Sequence, residues 1–181
     1  MRISTKCLII AVASVLATSS SSLSAVFQTK DPSLRQEVKS NPVDQYTPHG
    51  YVNDFAGMLD SKVQLQLDLI CKDLDKKNET QIAIVTVVSL DGVPIKQFAT
   101  DLANLWGVGH KENNRGVLIL LSRDDRQYRL AVGSGLESVL SDEEAGRLTQ
   151  EILPMLKKQD YGNAVLHLAA RVREEIEQKV K

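Results

Sequence analysis

Residues 113–121 read NNRGVLILL, and this short segment determines the architecture expected for the whole chain. A polar turn ends at Gly116 and is followed at once by five large aliphatic residues. An unbroken apolar run of this length is typical of a central strand that is covered on both faces. The segment therefore predicts a buried strand with a polar loop at each end.

The sequence on either side of this strand predicts its neighbours in a sheet. Residues 81–88 (QIAIVTVV) are rich in β-branched side chains and predict a second buried strand. The Asp91-Gly92 turn and Pro94 precede a helix that separates the two strands, so the strands should be parallel. Downstream, the charged loop 122–126 and the alternating segment 128–132 predict a hairpin. The expected apolar face of the intervening helix comprises Ile95, Phe98, Ala99, Leu102, Leu105 and Trp106.

Further helices and a short strand complete the prediction. Residues 51–54 are typical of an edge strand or turn, and Asp60 or Ser61 can cap a helix with an apolar face. Ser141 and Glu144 have capping-box spacing and open a helix that runs toward Pro154. Residues 160–162 predict a turn before the last helix. We expect an α/β fold, a three-layer α/β/α sandwich with a small mixed, mostly parallel sheet and helices on both faces. The apolar positions are Val63, Leu67, Ile70 and Leu74 in the first helix and Val165, Leu168, Ala169, Val172 and Ile176 in the last.

The N-terminus has the pattern of an export signal. Arg2 and Lys6 precede the apolar residues 7–17, and small residues follow up to Ala25. This pattern predicts a signal peptide over residues 1–25 and a periplasmic or secreted protein. The apolar run is shorter than the roughly 20 residues of a spanning helix. We therefore expect no stable membrane span after cleavage, with an uncleaved N-terminal anchor as the alternative.

Composition limits the remaining classes of protein. Three prolines among polar residues predict a flexible linker over residues 26–50, followed by one domain over residues 51–178. Hydrophobic residues make up 43% and aromatic residues 4%, so the core should be aliphatic. Only Cys71 remains after cleavage, which excludes an internal disulfide. With 22 basic and 23 acidic residues, the chain has no electrostatic signature of a nucleic-acid-binding protein.

The segment NNRGVLILL, together with VNDFAGML (residues 52–59) and VGSGLESVLSD (residues 132–142), resembles the TPM domain. This family occurs in bacterial envelope proteins and in proteins of the thylakoid lumen, and the resemblance covers roughly residues 51–176. The resemblance implies the α/β fold. It also implies two activities to consider, because some TPM domains bind Ca²⁺ or related divalent cations and the plant lumen member is described as an acid phosphatase involved in photosystem II repair.

Oxygen-bearing side chains stand at the ends of the predicted elements, where they could bind a hard cation. Calcium prefers carboxylate, amide and backbone carbonyl oxygens. Asn and Asp also occupy turns for local hydrogen-bonding reasons, and the residues alone favour that reading. The set comprises Asn53, Asp54, Asn113, Asn114, Asp124, Asp125 and Glu137, and the metal ligands predicted from it are Asn53, Asp54, Asn114, Asp124 and Glu137.

One departure from the family pattern bears on this metal site. Many relatives have Asp-Asn-Gly before the buried strand, whereas this chain has Asn114-Arg115-Gly116. An amide replaces the carboxylate and Arg115 adds a positive charge, and both changes should weaken cation binding. Asp54 and Glu137 are retained, although GSGLE stands where relatives commonly have Gly-Tyr-Gly-Leu-Glu.

Arg115 also supports an anion-binding hypothesis. An arginine beside the backbone amides of a glycine turn can bind a phosphate or carboxylate, and Arg126 of the hairpin loop would complete the site. The alternative, which we favour, is a surface ion pair of Arg126 with Asp124 or Asp125.

No catalytic residue can be named from motifs. The chain lacks a Walker loop, an H-E-x-x-H and a G-x-S-x-G motif, and Gly133-Ser134-Gly135 lacks the third glycine of a dinucleotide site, so no nucleotide cofactor is expected. The three histidines, His49, His110 and His167, are expected to be structural or merely exposed. Two functions remain open. The first is a non-enzymatic envelope assembly or quality-control factor that binds an unknown envelope protein and, weakly, Ca²⁺ or another divalent cation. The alternative is a metal-assisted acid phosphatase with the cation at Asp54, Asp124 and Glu137.

Overall fold

The structure, a computed structural model, describes residues 41–179. The predicted signal peptide, residues 1–25, and the first part of the predicted linker lie outside this range. Within residues 41–179, no helix is both long and apolar enough to cross a membrane. The elements are β1 (Val52–Asp54), α1 (Ser61–Asn78), β2 (Gln81–Val87), α2 (Ile95–Trp106), β3 (Gly116–Ser122), β4 (Gln127–Val132), α3 (Asp142–Glu151), α4 (Leu153–Lys157) and α5 (Tyr161–Lys179).

The four strands form one mixed sheet in the order β1-β2-β3-β4. The first three strands are parallel, with Val52 paired to Ile84 and Ile84 to Ile119. Strand β4 is antiparallel to β3 and pairs Ile119 with Leu130. The predicted parallel pair and the predicted hairpin are both confirmed. The carboxyl ends of β1, β2 and β3 therefore meet the hairpin loop at one end of the sheet.

Helices cover both faces of the sheet because its two central strands are apolar on both sides. Ile84 and Ile119 face a core shared with α1, α3 and α5. Val85 and Leu120 face the opposite side, where Phe98 of α2 packs. All seven residues of β3 are buried, as the run of aliphatic residues predicts. The three-layer α/β/α architecture is therefore confirmed.

The last residues of the predicted flexible linker pack against the domain. A 3₁₀ turn spans Pro42–Gln45, and Val43 is only 2% exposed in the core beside α2. The indole of Trp106 donates a hydrogen bond to the Tyr46 carbonyl at 3.0 Å, and the Tyr46 and Phe55 rings lie 5.0 Å apart. Residues 41–50 thus pack against the domain, whereas the sequence predicts a flexible linker up to residue 50. The physical reason is that this segment covers an aromatic cluster at the end of α2.

Two local predictions about helices are wrong. Leu105 is 52% exposed, because in the last turn of α2 it is the neighbouring Trp106 that packs against the core. Residues 160–162 form no turn: the chain reverses at Gln159, whose φ is 60°, and α5 already begins at Tyr161. Gly162 stands where α5 crosses α1, and a Cβ there would lie 3.1 Å from a methyl group of Val63. This glycine allows the two helices to pack closely. In the sequence, a glycine within a short polar segment is more typical of a turn, which is why the sequence predicts a turn here.

Candidate functional site

The predicted metal ligands fall into two groups at opposite ends of β3. Asn114 lies just before Gly116, where the strand begins, and Asp124 follows Ser122, where it ends. A strand of seven residues spans about 20 Å. Asn114 and Asp124 therefore cannot contact the same ion.

The other three predicted ligands divide in the same way. Asn53 and Asp54 end β1, which is parallel to β2 and β3, so they lie at the end of the sheet that carries Asp124. Glu137 follows β4 at the other end of the sheet, the end that also carries Asn114. Across residues 41–179 there is no group of three or more His, Cys, Asp or Glu side chains that could hold a metal ion. The five residues do not fit one calcium site, which corrects that part of the prediction.

Asp54 uses its carboxylate to build the loop between β1 and α1. Its two oxygens accept the backbone N–H groups of Met58 and Leu59, each at 2.9 Å. The Thr86 hydroxyl also donates to Asp54, and the Gln64 amide donates at 3.4 Å. Four donors occupy this carboxylate, so its role in the fold is that of a turn residue.

Asn53 has a similar local role. Its side chain is 3% exposed, accepts the backbone N–H of His49 at 2.7 Å and donates to the Gly50 carbonyl at 2.9 Å. Both polar ends of this buried amide are thus satisfied within one loop.

Asn114 lies against the glycine-containing segment after β4. It adopts φ of 51°, and its amide donates to the Ser134 hydroxyl at 2.6 Å. A Cβ on Gly135 would lie 1.9 Å from the Asn113 carbonyl oxygen, so the two segments are in close backbone contact. The glycines of Gly133-Ser134-Gly135 are explained by this close backbone approach.

Arg115 and Arg126 do not form the predicted anion site, because they lie at opposite ends of β3. The Arg115 guanidinium donates to the Asn78 carbonyl at 3.3 Å, at the C-terminus of α1. A cation there satisfies a free carbonyl and interacts favourably with the helix dipole. Arg115 is therefore a capping residue of α1.

The predicted surface pair of Arg126 with an aspartate is also absent from the described part of the chain. Asp124 pairs with Arg123 at 2.9 Å instead. Asp125 accepts the Ser122 hydroxyl at 2.5 Å and the Leu90 N–H at 2.8 Å, and these bonds lower the pKa of its carboxyl group. Among residues 41–179, Arg126 has no acidic side chain within 4.0 Å.

Arg126 lines a cleft of about 320 Å³ at the carboxyl end of β3. This is the end at which open α/β sheets bind ligands. Among the residues that the structure describes, the charged residues of its lining are Arg126 and Lys157, and none of the lining residues is a carboxylate. The walls are Met58, Leu121, Ser122, Gln127, Tyr128, Leu153, Leu156, Gln159 and Tyr161. Sequence reasoning found Arg126 but missed the cleft, because its walls come from three distant segments of the chain.

A second cluster that sequence reasoning missed lies at the opposite end of the sheet. Asp75 accepts the Tyr51 hydroxyl at 2.6 Å through one oxygen and contacts His110 Nε2 at 2.7 Å through the other. The bond to Asp75 is the main cause that raises the pKa of Tyr51 to about 12. The cluster ties the start of β1 and the loop before β3 to the end of α1, and no sequence motif indicates it.

Comparison with known families identifies the domain. The family model described as the TPM domain matches residues 52–175, within the range predicted for the domain. No curated protein matches the chain.

Solved structures of bacterial proteins have the same fold. The N-terminal domain of a protein from P. gingivalis is 27% identical with a TM-score of 0.68, and the match covers 72% of this chain and 83% of that one. The N-terminal domain of the cg2496 protein from Corynebacterium glutamicum is 19% identical with a TM-score of 0.57, covering 75% and 84%. The BA42 protein from the psychrophilic bacterium Bizionia argentinensis is 18% identical with a TM-score of 0.56, covering 66% and 82%. The last two similarities concern the fold alone.

Proposed function

The chain belongs to the TPM domain family, and from this premise we propose that it is an exported, non-enzymatic recognition domain in envelope assembly or quality control. The observation that carries the proposal is the cleft with two cationic residues and no carboxylate in its lining. The ligand is an anionic group attached to an apolar segment of an envelope protein. The free carboxyl end of a polypeptide has this chemistry.

The composition of the cleft supports this ligand class. Met58, Leu121 and Leu156 offer apolar surface, on which an aliphatic side chain loses contact with water. Arg126 and Lys157 offer charge-assisted hydrogen bonds to a carboxylate. A volume of about 320 Å³ is at the lower end of the range for ligand sites, so it fits one or two residues of a partner.

The non-enzymatic part of the proposal rests on the roles of the polar residues. Asp54 is engaged by four donors, and the cleft lining contains no His, Cys, Asp or Glu. Cys71 is fully buried, and burial raises the pKa of its thiol to about 12. A thiol in this state is a poor nucleophile.

Export and cation binding belong to the same proposal. The export signal rests on the sequence of residues 1–25. Weak binding of Ca²⁺ or another divalent cation is expected at Asp124, whose carboxylate is 57% exposed. With few free carboxylates at that end of the sheet, the dissociation constant should be about millimolar.

A metal-assisted acid phosphatase is the second candidate function. What favours it is that Asp54 and Asp124 lie at the same end of the sheet as the cationic cleft, which has the charge to bind a phosphate. Its third predicted ligand, Glu137, lies at the other end.

A peptide titration tests the recognition function. An isotope-labelled chain is titrated with a short peptide that ends in leucine with a free carboxylate, and with the same peptide amidated. We expect amide shifts around Arg126 and Lys157 with the free peptide only, and about tenfold weaker binding in Arg126→Gln and Lys157→Gln. Lys158→Gln is the control, because Lys158 is exposed and does not line the cleft. Equal binding of both peptides would contradict the proposal.

A hydrolysis assay separates the two candidate functions. The chain is incubated with a phosphomonoester and Ca²⁺, Mg²⁺ or Mn²⁺, and we expect no turnover above a buffer control. Turnover that Asp124→Asn abolishes, in a variant that keeps the native circular dichroism spectrum, would establish the phosphatase instead.

A further inference from the structure

Strand β4 is one of the two edges of the sheet, and within residues 41–179 one side of its backbone has no strand partner. The Gly133 N–H donates to the Gly116 carbonyl at 2.7 Å, which fixes the alternation along the β3–β4 pair. Residues 127, 129 and 131 therefore bond to β3, while the backbone groups of Tyr128 and Leu130 point outward. Within residues 41–179, these outward groups make no backbone hydrogen bond beyond the sheet. An open ladder of this kind is a template for another strand.

A groove of about 260 Å³ follows this edge between two helices. Lys96 of α2 lines one side, and Asp142, Ala145, Gly146 and Thr149 of α3 line the other. A Cβ built on Gly146 meets nothing within 4 Å, so the α3 side has free space. The groove can therefore receive an extended chain with side chains on both sides.

Arg129 supplies an independent observation at the same place. Its Nε is buried and has no hydrogen-bond partner among residues 41–179. No acidic side chain of the described chain lies within 4.0 Å of it. Arg129 pairs with Leu120, whose side chain belongs to the core beside α2, so Arg129 lies on the same side as Lys96. Buried donors without an acceptor are uncommon in folded proteins. This one lies in a groove whose α2 side carries two cations, Lys96 and Arg129, while the one carboxylate of the lining, Asp142, belongs to the α3 side.

We propose that the β4 edge binds an extended segment of a partner protein as a fifth strand of the sheet. The segment pairs its backbone with Tyr128 and Leu130 and directs a carboxylate to Arg129 on the α2 side. Its alternate residues are aliphatic and pack beside Ala145 and Gly146 on the α3 side. Main-chain pairing supplies affinity and the alternating side chains supply specificity, as in other cases of strand addition. This surface is separate from the cleft of the proposed function and goes beyond it.

The test uses the full chain, labelled with ¹⁵N, and a capped peptide of alternating valine and glutamate. We expect chemical-shift changes and slowed hydrogen exchange at the Tyr128 and Leu130 amides. A peptide with N-methyl groups on alternate residues should not bind, because it lacks the ladder donors. Replacement of glutamate by glutamine should weaken binding about tenfold.

Protein variants locate the contact. Arg129→Met keeps the aliphatic part of the side chain and should weaken binding of the glutamate peptide about tenfold, while binding of the glutamine peptide stays the same. Gly146→Gln should block the groove. Lys96→Gln should also weaken binding, and it tests the α2 side of the groove independently of whether Arg129→Met folds. Gln150→Ala is the matched control on α3, since Gln150 does not line the groove.

Three outcomes would overturn the proposal. The first is equal binding of the N-methylated peptide. The second is a shift of the β4 amides on dilution of the chain alone, which would assign the edge to a second copy. The third is a peptide response confined to Arg126 and Lys157, which would support the cleft and leave the edge without a ligand.

Discussion

Asp54 and Thr86 are register partners across the parallel strands β1 and β2, and the Thr86 hydroxyl donates a hydrogen bond to the Asp54 carboxylate. The same carboxylate accepts the backbone N–H groups of Met58 and Leu59. One side chain thus joins the short edge strand, the central sheet and the loop that leads into α1.

Replacement of Asp54 by alanine should destabilise the fold. The change leaves two backbone donors without their acceptors, and we expect the free energy of unfolding to fall by about 2–4 kcal/mol. Urea unfolding monitored by circular dichroism measures the effect. Asp124→Ala is the control and should change the free energy by less than about 0.5 kcal/mol, since its carboxylate is 57% exposed. Similar losses in both variants would exclude a special role of Asp54.

Glu175 of α5 should be the most important acidic residue between α3 and α5. It is 9% exposed and pairs with Lys179 at 3.0 Å, Arg147 at 3.2 Å and Arg171 at 3.5 Å. Glu175→Gln leaves these cations close together without their shared anion. Because the cations remain partly solvated, we expect a loss of about 1–2 kcal/mol in urea unfolding.

The matched control for this network is Glu177→Gln. Among the described residues, Glu177 forms an ion pair only with Arg173, at 4.0 Å, and its side chain is 40% exposed. Its loss should cost less than about 0.5 kcal/mol. The Glu175 effect should also shrink at high salt, and a loss that is insensitive to salt would argue for packing instead of charge.

Two glycines should respond to alanine with opposite signs. Gly146 is in the interior of α3 with open space around it, so Gly146→Ala should stabilise the fold by about 0.5–1 kcal/mol through helix propensity. At Gly135 the new Cβ would lie 1.9 Å from the Asn113 carbonyl oxygen, and the expected loss exceeds about 2 kcal/mol. Thermal unfolding of both variants tests the signs. A stable Gly135→Ala protein would show that the two segments can separate.

Tyr51 should ionise at a higher pH than an ordinary tyrosine. The bond to Asp75 raises the pKa of Tyr51 from 10.0 to about 12, because it stabilises the protonated phenol. A raised pKa in the folded state adds stability below about pH 10, and this stability is lost as the pH rises toward 12. Tyrosinate absorbance as a function of pH should show a late component that Tyr51→Phe removes.

Asp75→Asn should shift that late component to lower pH, whereas Asp73→Asn should leave it in place. Asp73 is a suitable control because it lies on the same helix and pairs with Lys77 at 2.8 Å. A late component that persists unchanged in Tyr51→Phe would contradict the assignment.

The fold could be predicted from the sequence because each signal was local. The aliphatic run 117–121 specified a strand buried on both faces, and the helix between residues 81–88 and this run required parallel pairing. Where prediction failed, contacts with distant residues overrode the local pattern. Gly162 is explained by Val63 on another helix, and residues 41–50 by the aromatic cluster beside α2.

The candidate sites were harder to predict, because the sequence shows which side chains could bind a ligand but not which of them lie at the same end of the sheet. Asn114 and Asp124 are ten positions apart, and the strand between them holds them about 20 Å or more from each other. Arg126 and Lys157 line the same cleft only because α4 packs beside the β3–β4 hairpin.

The sequence by itself determined the layers, the strand pairing and the family, since these follow from hydrophobic periodicity and turn chemistry along the chain. Only the tertiary structure decided which polar residues contact one another, which form hydrogen bonds within their own loops, and that the outer edge of β4 has no strand partner within residues 41–179. Those properties depend on distances between segments that no local pattern encodes, and on the requirement that each buried polar group find a partner in three dimensions.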